Sequence, residues 1–149
     1  MKGKSDVAKL LALDPGLTTG FALIKFDPRT MDLVSLQVSQ ERKEDAKAWG
    51  SKPMDILISE KPNFLVIEDF IGAGPRTKES NYVLKMIGAY EAMGSKLGAE
   101  VSVQANSMRR PFLKGGVNFY RSLKGTNPCH HGKDALAHGL RFLHDRPLS

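Results

Sequence analysis

The sequence has a single cysteine and lacks any long apolar run. Cys129 has no second cysteine with which to form a disulfide inside the chain, which predicts a reducing compartment, the bacterial cytoplasm. A membrane-spanning helix needs about 18 apolar residues in a row, and no stretch of the sequence comes near that length. No such stretch follows the N-terminal MKGKSDVAK, so we expect neither a secretory signal nor a membrane partner.

Acidic residues are missing from residues 106–130. The whole chain carries 22 lysines and arginines against 16 acids, a net charge of +6. The acid-free stretch holds five of the basic residues: Arg109, Arg110, Lys114, Arg121 and Lys124. An uninterrupted basic stretch favours a polyanion, most simply nucleic acid. We interpret the stretch as a loop, with an ordinary solvated loop as the alternative.

The length and the pattern of apolar residues predict one α/β domain, residues 1–149. The chain has 149 residues, 41% of them hydrophobic, which is enough for one core. The order of predicted elements is β-β-β-α-β-α-β-α, with three strands in an antiparallel meander and later alternation of strands and helices. This order indicates a mixed five-stranded sheet with helices on both faces. The predicted strands are Lys9–Asp14, Thr19–Asp27, Asp32–Gln40, Asn63–Asp69 and Glu100–Ala105, and the predicted helices are Pro53–Glu60, Thr77–Leu97 and His131–His144.

Three acids stand where an apolar segment ends or begins. Asp14 ends the first predicted strand, Glu68 ends the fourth, and Asp134 lies in the first turn of the last helix. Buried carboxylates are costly unless they are paired or bind a cation. If the first and fourth strands are parallel neighbours, Asp14 and Glu68 project into one crevice, where ligands of open α/β sheets bind. Mg²⁺ or Mn²⁺ would relieve the repulsion between three carboxylates, because both ions take oxygen ligands.

Four polar side chains in the last predicted helix recur at the spacing of helical turns. His131, Asp134, His138 and Arg141 are separated by three, four and three residues, so we expect them on one face, opposite the apolar face. Hydrolysis of a phosphodiester with metal ions uses groups of these types, with a histidine as ligand or proton shuttle.

Each acid also has a simpler interpretation. Asp14 can start an Asp-Pro-Gly turn, Glu68 and its neighbour Asp69 can face solvent at a strand end, and Asp134 can complement the helix dipole. The occurrence of all three at the edge of one predicted core favours a shared site.

At these residues the sequence resembles the RuvC-like Holliday junction resolvases of the ribonuclease H-like superfamily, and its short form resembles the phage-type members. The resembling segments, in family order, are LLALDPGLTTGFALI, FLVIEDF, LKMIGAYEAM, EVSVQANSMRRPFLKG and HHGKDALAHGL. The resemblance implies Asp14 as the acid that bridges two Mg²⁺ or Mn²⁺ ions. It implies Glu68 and Asp134 as further metal ligands, and His131 as a ligand or a proton shuttle, which completes the predicted catalytic set.

The resemblance also implies an activity and partners. The family cuts four-way DNA junctions as a homodimer by paired nicks, in recombination, repair or phage DNA processing. Three-way junctions and flaps remain open as substrates. We expect DNA contacts from one aromatic residue and from basic residues near the acids: Phe70, Arg76, Lys78, Arg109, Arg110, Lys114, Lys124 and Lys133.

Other functions remain open from the sequence. The segment DPGLTTG resembles the first phosphate loop of sugar-kinase or actin-like ATPases, although no second phosphate loop is present. A nuclease that processes ribosomal RNA on the same fold, and a non-catalytic DNA-binding module, are further alternatives. Large apolar side chains on the long helix, Tyr82, Met86, Tyr90 and Met93, predict either a dimer interface or additional core contact. The roles of Cys129 and His138 stay open.

Overall fold

The structure is a computed structural model that describes residues 7–45, 51–70 and 77–146. Its strands are β1 (Ala8–Asp14), β2 (Thr18–Phe26), β3 (Leu33–Arg42), β4 (Phe64–Glu68) and β5 (Glu100–Gln104). Its α-helices are α1 (Lys52–Glu60), α2 (Lys78–Lys96), α3 (Arg110–Lys124) and α4 (His130–Asp145), with short 3₁₀ turns at Lys43–Asp45 and Asn106–Arg109. Among the described residues, no helix combines the length and the apolar character needed to cross a membrane.

The five strands form one mixed sheet in the spatial order β3-β2-β1-β4-β5. β1, β2 and β3 are an antiparallel meander, as the sequence predicts, and β4 and β5 run parallel to β1, which makes the sheet mixed. Leu13 pairs with Ile67 across β1 and β4. The next residues along these two strands, Asp14 and Glu68, therefore leave the sheet side by side at its carboxyl edge.

Alternation along the strands divides the core into two layers. In β1, Leu11 and Leu13 belong to the layer covered by α1 and α2, whereas Leu10 and Ala12 belong to the layer covered by α4. The exposed fraction of all four is 0%, because a central strand is covered on both faces. The prediction of helices on both faces of the sheet is confirmed.

The prediction of a loop across residues 106–130 is wrong. Most of this stretch forms α3, so that two helices, not one, follow β5. Gly115 and Gly116 lower the helix propensity of the segment, which conceals the helix in the sequence. Packing compensates, since Gly116 is buried and a Cβ there would lie 3.3 Å from the side chain of Leu140 on α4.

The long helix α2 has clear local start and stop signals. Thr77 caps its N-terminus in a capping box with Ser80, and Gly98, at a φ of 87°, follows its C-terminus in the left-handed region. Met86 and Tyr90 are buried in the core on the α1 and α2 side of the sheet. The sequence left open whether the large apolar side chains of this helix form a dimer interface or contact the core. Met86 and Tyr90 contact the core.

The start of α4 lies directly against β2. A Cβ on Gly20 would lie 2.0 Å from the backbone oxygen of His131, which is closer than any real contact. The backbone N–H of His131 donates to Oε1 of Gln40 at 3.0 Å, which ties the helix to β3 as well. A residue without a side chain at position 20 therefore allows α4 to bring its first turns to the end of β1.

Candidate active site

Three polar side chains at the carboxyl ends of β1, β4 and β5 point to the face of the sheet that α4 covers. Side chains two residues apart on a strand point to the same face, so Asp14 shares the face of Ala12 and Glu68 shares the face of Val66. Ala12 and Val66 both belong to the core layer that α4 covers. Gln104 lies beside Glu68 in the parallel register of β4 and β5. The crevice that the sequence predicts between β1 and β4 is therefore closed on one side by a helix.

The helix α4 contributes polar side chains at positions 131, 134 and 138, which share one face. Nδ1 of His131 lies 3.9 Å from Oδ2 of Asp14. Asp14, His131 and Asp134 each offer one ligand atom, and these three atoms lie within 4.8 Å of one another. The structure thus brings together three members of the predicted catalytic set, with the fourth, Glu68, beside Asp14.

The pKa values of the neighbouring carboxyls of Asp14 and Glu68 are shifted in opposite directions. Burial, reinforced by the charges of Glu68 and Asp134 and a hydrogen bond to Glu68, raises the pKa of Asp14 to about 8. Burial also acts to raise the pKa of Glu68, but hydrogen bonds from His138 and Asp14 and the charge of Arg109 outweigh it, so that this pKa is lowered. Without a cation, Asp14 is the protonated partner at neutral pH.

His131 is held in its neutral form. Burial and the neighbouring His130 lower the pKa of His131, against the attraction of Asp134 and Glu68. The neutral imidazole has a free lone pair, which is the form that binds a metal. Its position next to Asp14 therefore suits a ligand.

Arg109 lies between two of the acids. Its Nη1 donates to Oε1 of Glu68 at 3.0 Å and to the backbone oxygen of Asn106 at 2.9 Å. Its Nε lies 3.3 Å from Oδ1 of Asp134, at an angle that makes an ion pair without a hydrogen bond. The sequence predicts Arg109 as a contact for DNA phosphates. The structure places its guanidinium against the carboxylate cluster, by which we mean Asp14, Glu68 and Asp134.

His138 is the site residue that sequence reasoning misplaced. Its side chain is fully buried, not on a polar face opposite the core. Its Nε2 lies 2.7 Å from Oε1 of Glu68, whose lowered pKa makes the carboxylate the acceptor of this bond, and its Nδ1 lies 2.7 Å from Oε1 of Gln104. The i, i+4 spacing from Asp134 is a signal for this position, but the same spacing equally suits a solvent-exposed histidine.

The other predicted DNA contacts within the described residues are exposed or half-buried. Phe70, two residues after Glu68, is 38% exposed, and Lys78 is exposed at the start of α2. Arg110, Lys114 and Lys124 are exposed on α3, and Lys133 is half-buried on α4. Arg76 lies outside the described residues. The aromatic residues Phe119 and Tyr120 pack against the core instead of offering faces to bases.

An open groove separates α3 from the start of α4. It has a volume of about 450 Å³, and its walls are basic and apolar. Its lining residues are Leu113, Lys114, Val117, Asn118, Arg121 and Lys133. Lys133 directly precedes Asp134, so the groove borders the helix that carries two of the candidate ligands.

A separate apolar cavity of about 280 Å³ lies on the opposite face of the sheet, beside Tyr82 and Tyr90. Among the described residues that line it, Glu41 is the one acid, and none belongs to the carboxylate cluster. The candidate metal ligands therefore lie at the carboxyl edge of the sheet and not in this cavity.

The donor set fits a hard or borderline divalent cation. Two carboxylates and one neutral imidazole converge, and oxygen with nitrogen ligands suits Mg²⁺ or Mn²⁺. The raised pKa of Asp14 also points to a cation site. Burial and the nearby charges of Glu68 and Asp134 disfavour its ionised form, and a bound cation would offset this. The cluster can therefore hold a metal ion.

No protein-family model and no curated protein sequence matches the chain. Solved structures do match. Thermus thermophilus RuvC in complex with a Holliday junction is 16% identical, with a TM-score of 0.61 over 90% of this chain and 91% of that one. The fowlpox virus Holliday junction resolvase is 12% identical, with a TM-score of 0.68 over 93% of this chain and 99% of that one. The complex of the fowlpox virus resolvase with junction DNA is 14% identical, with a TM-score of 0.58 over 91% of this chain and 97% of that one. The chain thus has the ribonuclease H-like α/β fold of RuvC and of the fowlpox virus resolvase, as the sequence predicts.

Proposed function

We propose that the protein is a metal-dependent endonuclease that hydrolyses phosphodiester bonds in branched DNA, with the four-way junction as its main substrate. One observation carries this proposal: Asp14, His131 and Asp134 converge within 4.8 Å at the carboxyl edge of the sheet. The same fold in two resolvases solved with or named for Holliday junctions supports the choice of substrate.

The residues that would hold the cation are Asp14, Asp134, His131 and Glu68. We propose Mg²⁺ or Mn²⁺, two ions in each site. When bound, such ions supply an activated water and stabilise the oxygen that leaves the phosphorus. Asp14 ends the strand next to the one that carries Glu68, and its ligand atom lies within 4.8 Å of that of Asp134, so Asp14 would be the ligand common to both ions.

The N-terminus of α4 would also favour the reacting phosphate, because the backbone N–H groups at a helix N-terminus favour an anion. His131 and Asp134 lie on the first turns of this helix. His131, half-buried beside Asp14, is placed to bind an ion or to carry a proton to bulk water. The groove between α3 and α4 would receive the DNA backbone, with Lys114 and Lys133 on its walls.

We further propose a homodimer, in the cytoplasm. A four-way junction must be cut in two strands, and the described residues form one carboxylate cluster in each chain. A two-fold pair of chains would supply two sites related by the symmetry of the junction.

The experiment that tests the proposed function compares a labelled four-way junction with a linear duplex of the same arms. Wild-type protein with Mg²⁺ or Mn²⁺ should nick the junction and leave the duplex largely intact, and EDTA should stop the reaction. Asp134→Asn should bind the junction but not cut it. Equal cutting of both substrates, or cutting in EDTA, would contradict the proposal, and cutting of RNA alone would favour an RNA-processing nuclease.

A further inference from the structure

The imidazole of His138 is more completely enclosed than any other ionisable group of the carboxylate cluster. Its exposed fraction is 0%, against 8% for Asp14. The ring projects from α4 to the ends of β4 and β5. A buried polar side chain is retained at little cost only when its hydrogen bonds are satisfied. Both ring nitrogens of His138 have partners at 2.7 Å, Glu68 and Gln104.

The two partners fix the ring in one orientation. The amide of Gln104, itself 3% exposed, can accept from a protonated Nδ1 or, with its nitrogen turned inward, donate to a neutral one. In either state Nε2 carries the proton that it donates to Oε1 of Glu68. The chain Gln104–His138–Glu68 thus crosses from β5 through α4 to β4, and its central ring is fully buried.

Glu68 has a second donor, Arg109, which differs from His138 in its freedom to move. Both donate to the same oxygen, Oε1. The Arg109 side chain is 27% exposed, and its Nε lacks a hydrogen bond, whereas His138 is enclosed and bonded at both nitrogens. An incoming phosphate or cation can draw Arg109 away, but it cannot displace His138 without opening the core.

We propose that His138 is a positioning residue for the metal centre: it binds Oε1 of Glu68 permanently, so that Glu68 presents its other oxygen to the cation beside Asp14. Gln104 acts through His138 by fixing the ring. This inference rests on the proposed function and adds to it a residue that touches neither the metal nor the DNA. Partners of this kind orient metal ligands, and their loss typically lowers metal affinity by roughly 10–100-fold.

The test measures Mn²⁺ binding to the whole protein by calorimetry, with no DNA present. His138→Phe keeps an aromatic ring at this position but removes both hydrogen bonds, and we expect its Mn²⁺ affinity to fall roughly tenfold or more. His138→Gln places an amide nitrogen near the position of Nε2 and should recover most of the affinity. His144→Phe, on an exposed turn of the same helix, is the matched control and should bind as wild type.

A second variant covers the case in which His138→Phe does not fold. Gln104→Leu leaves the bond from His138 to Glu68 in place but frees the ring, and we expect a smaller loss of Mn²⁺ affinity. In the double variant with His138→Gln the loss at position 104 should largely disappear, because Gln104 then has no imidazole to hold. Independent, additive losses would overturn the proposed chain.

The outcomes separate this inference from the proposed function. If wild-type protein neither binds Mn²⁺ nor nicks a junction, the proposed function fails. If wild-type protein binds Mn²⁺ and folded His138→Phe binds it equally well, the positioning role of His138 is refuted and the nuclease proposal stands. A lower thermal stability with unchanged Mn²⁺ affinity also refutes it, because it assigns His138 a purely structural role.

Discussion

Nη1 of Arg109 lies 3.0 Å from Oε1 of Glu68, so that a residue from the basic stretch neutralises an acid of the candidate metal site. The same guanidinium reaches Asp134 at 3.3 Å. In the absence of a divalent cation this arrangement limits the repulsion between the carboxylates. The two adjacent arginines, Arg109 and Arg110, therefore have different expected roles, although the sequence presents them as equivalent.

We expect Arg109→Ala to destabilise the metal-free protein, because it leaves Glu68 and Asp134 without their counter-charge. Its melting temperature in EDTA should fall, and the rise on adding Mg²⁺ should exceed that of the wild type. Thermal melts in EDTA and in Mg²⁺ measure both quantities. Arg109 would be dispensable for the cluster if neither melting temperature changed.

Arg110→Ala is the matched comparison, since Arg110 is exposed on the next position. Its melting temperature should equal that of the wild type. We expect weaker binding to all DNA structures and a salt dependence reduced by about one phosphate contact. Titrations of a junction at several salt concentrations measure the slope, and an unaltered slope would remove Arg110 from the DNA interface.

Asp14→Asn should abolish cleavage and keep junction binding. The substitution removes a ligand shared by both proposed ions and also a buried acid whose ionisation is unfavourable. Binding to a labelled junction in EDTA, followed by nicking in Mn²⁺, separates the two effects. Parallel loss of binding and cleavage would instead indicate a structural role for Asp14.

The pKa of Asp14 predicts how pH acts on the metal-free protein. Because this pKa is raised from 3.8 to about 8 in the folded state, the folded protein holds a proton that the unfolded chain releases. The contribution of Asp14 to stability is complete below pH 4 and is lost as the pH rises through 8. Denaturant melts in EDTA of wild type and Asp14→Asn should therefore differ in their pH dependence between these values.

The same proton competes with the cation. A bound metal needs ionised Asp14, so the apparent Mg²⁺ affinity should increase from pH 6 to pH 8 and metal binding should release protons. Calorimetry in buffers of different ionisation enthalpy counts the released protons. An affinity independent of pH over this range would contradict the raised pKa of Asp14.

Gly20→Ala should displace the start of α4. The added Cβ would overlap the backbone oxygen of His131, at 2.0 Å, and backbone cannot yield as a flexible side chain can. We expect the free energy of unfolding to fall by at least about 2 kcal/mol, as in overpacked cores, with loss of metal binding. Gly88→Ala is the control, because a Cβ there meets nothing within 4 Å. It should stabilise α2 by about 0.5–1 kcal/mol.

Much of the sheet could be predicted from the sequence because its signals are local. Apolar runs mark β1 and β4, and turn residues separate the strands of the meander. The adjacency of Asp14 and Glu68 followed from one topological assumption, that β1 and β4 are parallel neighbours, and the register of Leu13 with Ile67 confirms it.

Features that depend on packing between distant segments could not be predicted. The glycines of α3 argue against a helix, and the packing of Gly116 on α4 and of Phe119 and Tyr120 on the core explains why the helix forms. The burial of His138 depends on Gln104 at the end of a strand 34 residues earlier. The ion pair of Arg109 with Glu68 likewise joins residues 41 positions apart, and no local pattern indicates it.

Mapping of the cut sites on a four-way junction tests the central claim most directly. Each strand is labelled in turn, and the products are resolved to single nucleotides with Mg²⁺, with Mn²⁺ and with EDTA, for wild type and Asp14→Asn. The account predicts two nicks at symmetry-related positions near the crossover, dependent on the metal and absent from the variant. Cutting that persists in EDTA or in Asp14→Asn, or that falls on linear DNA as readily as on the junction, would contradict it.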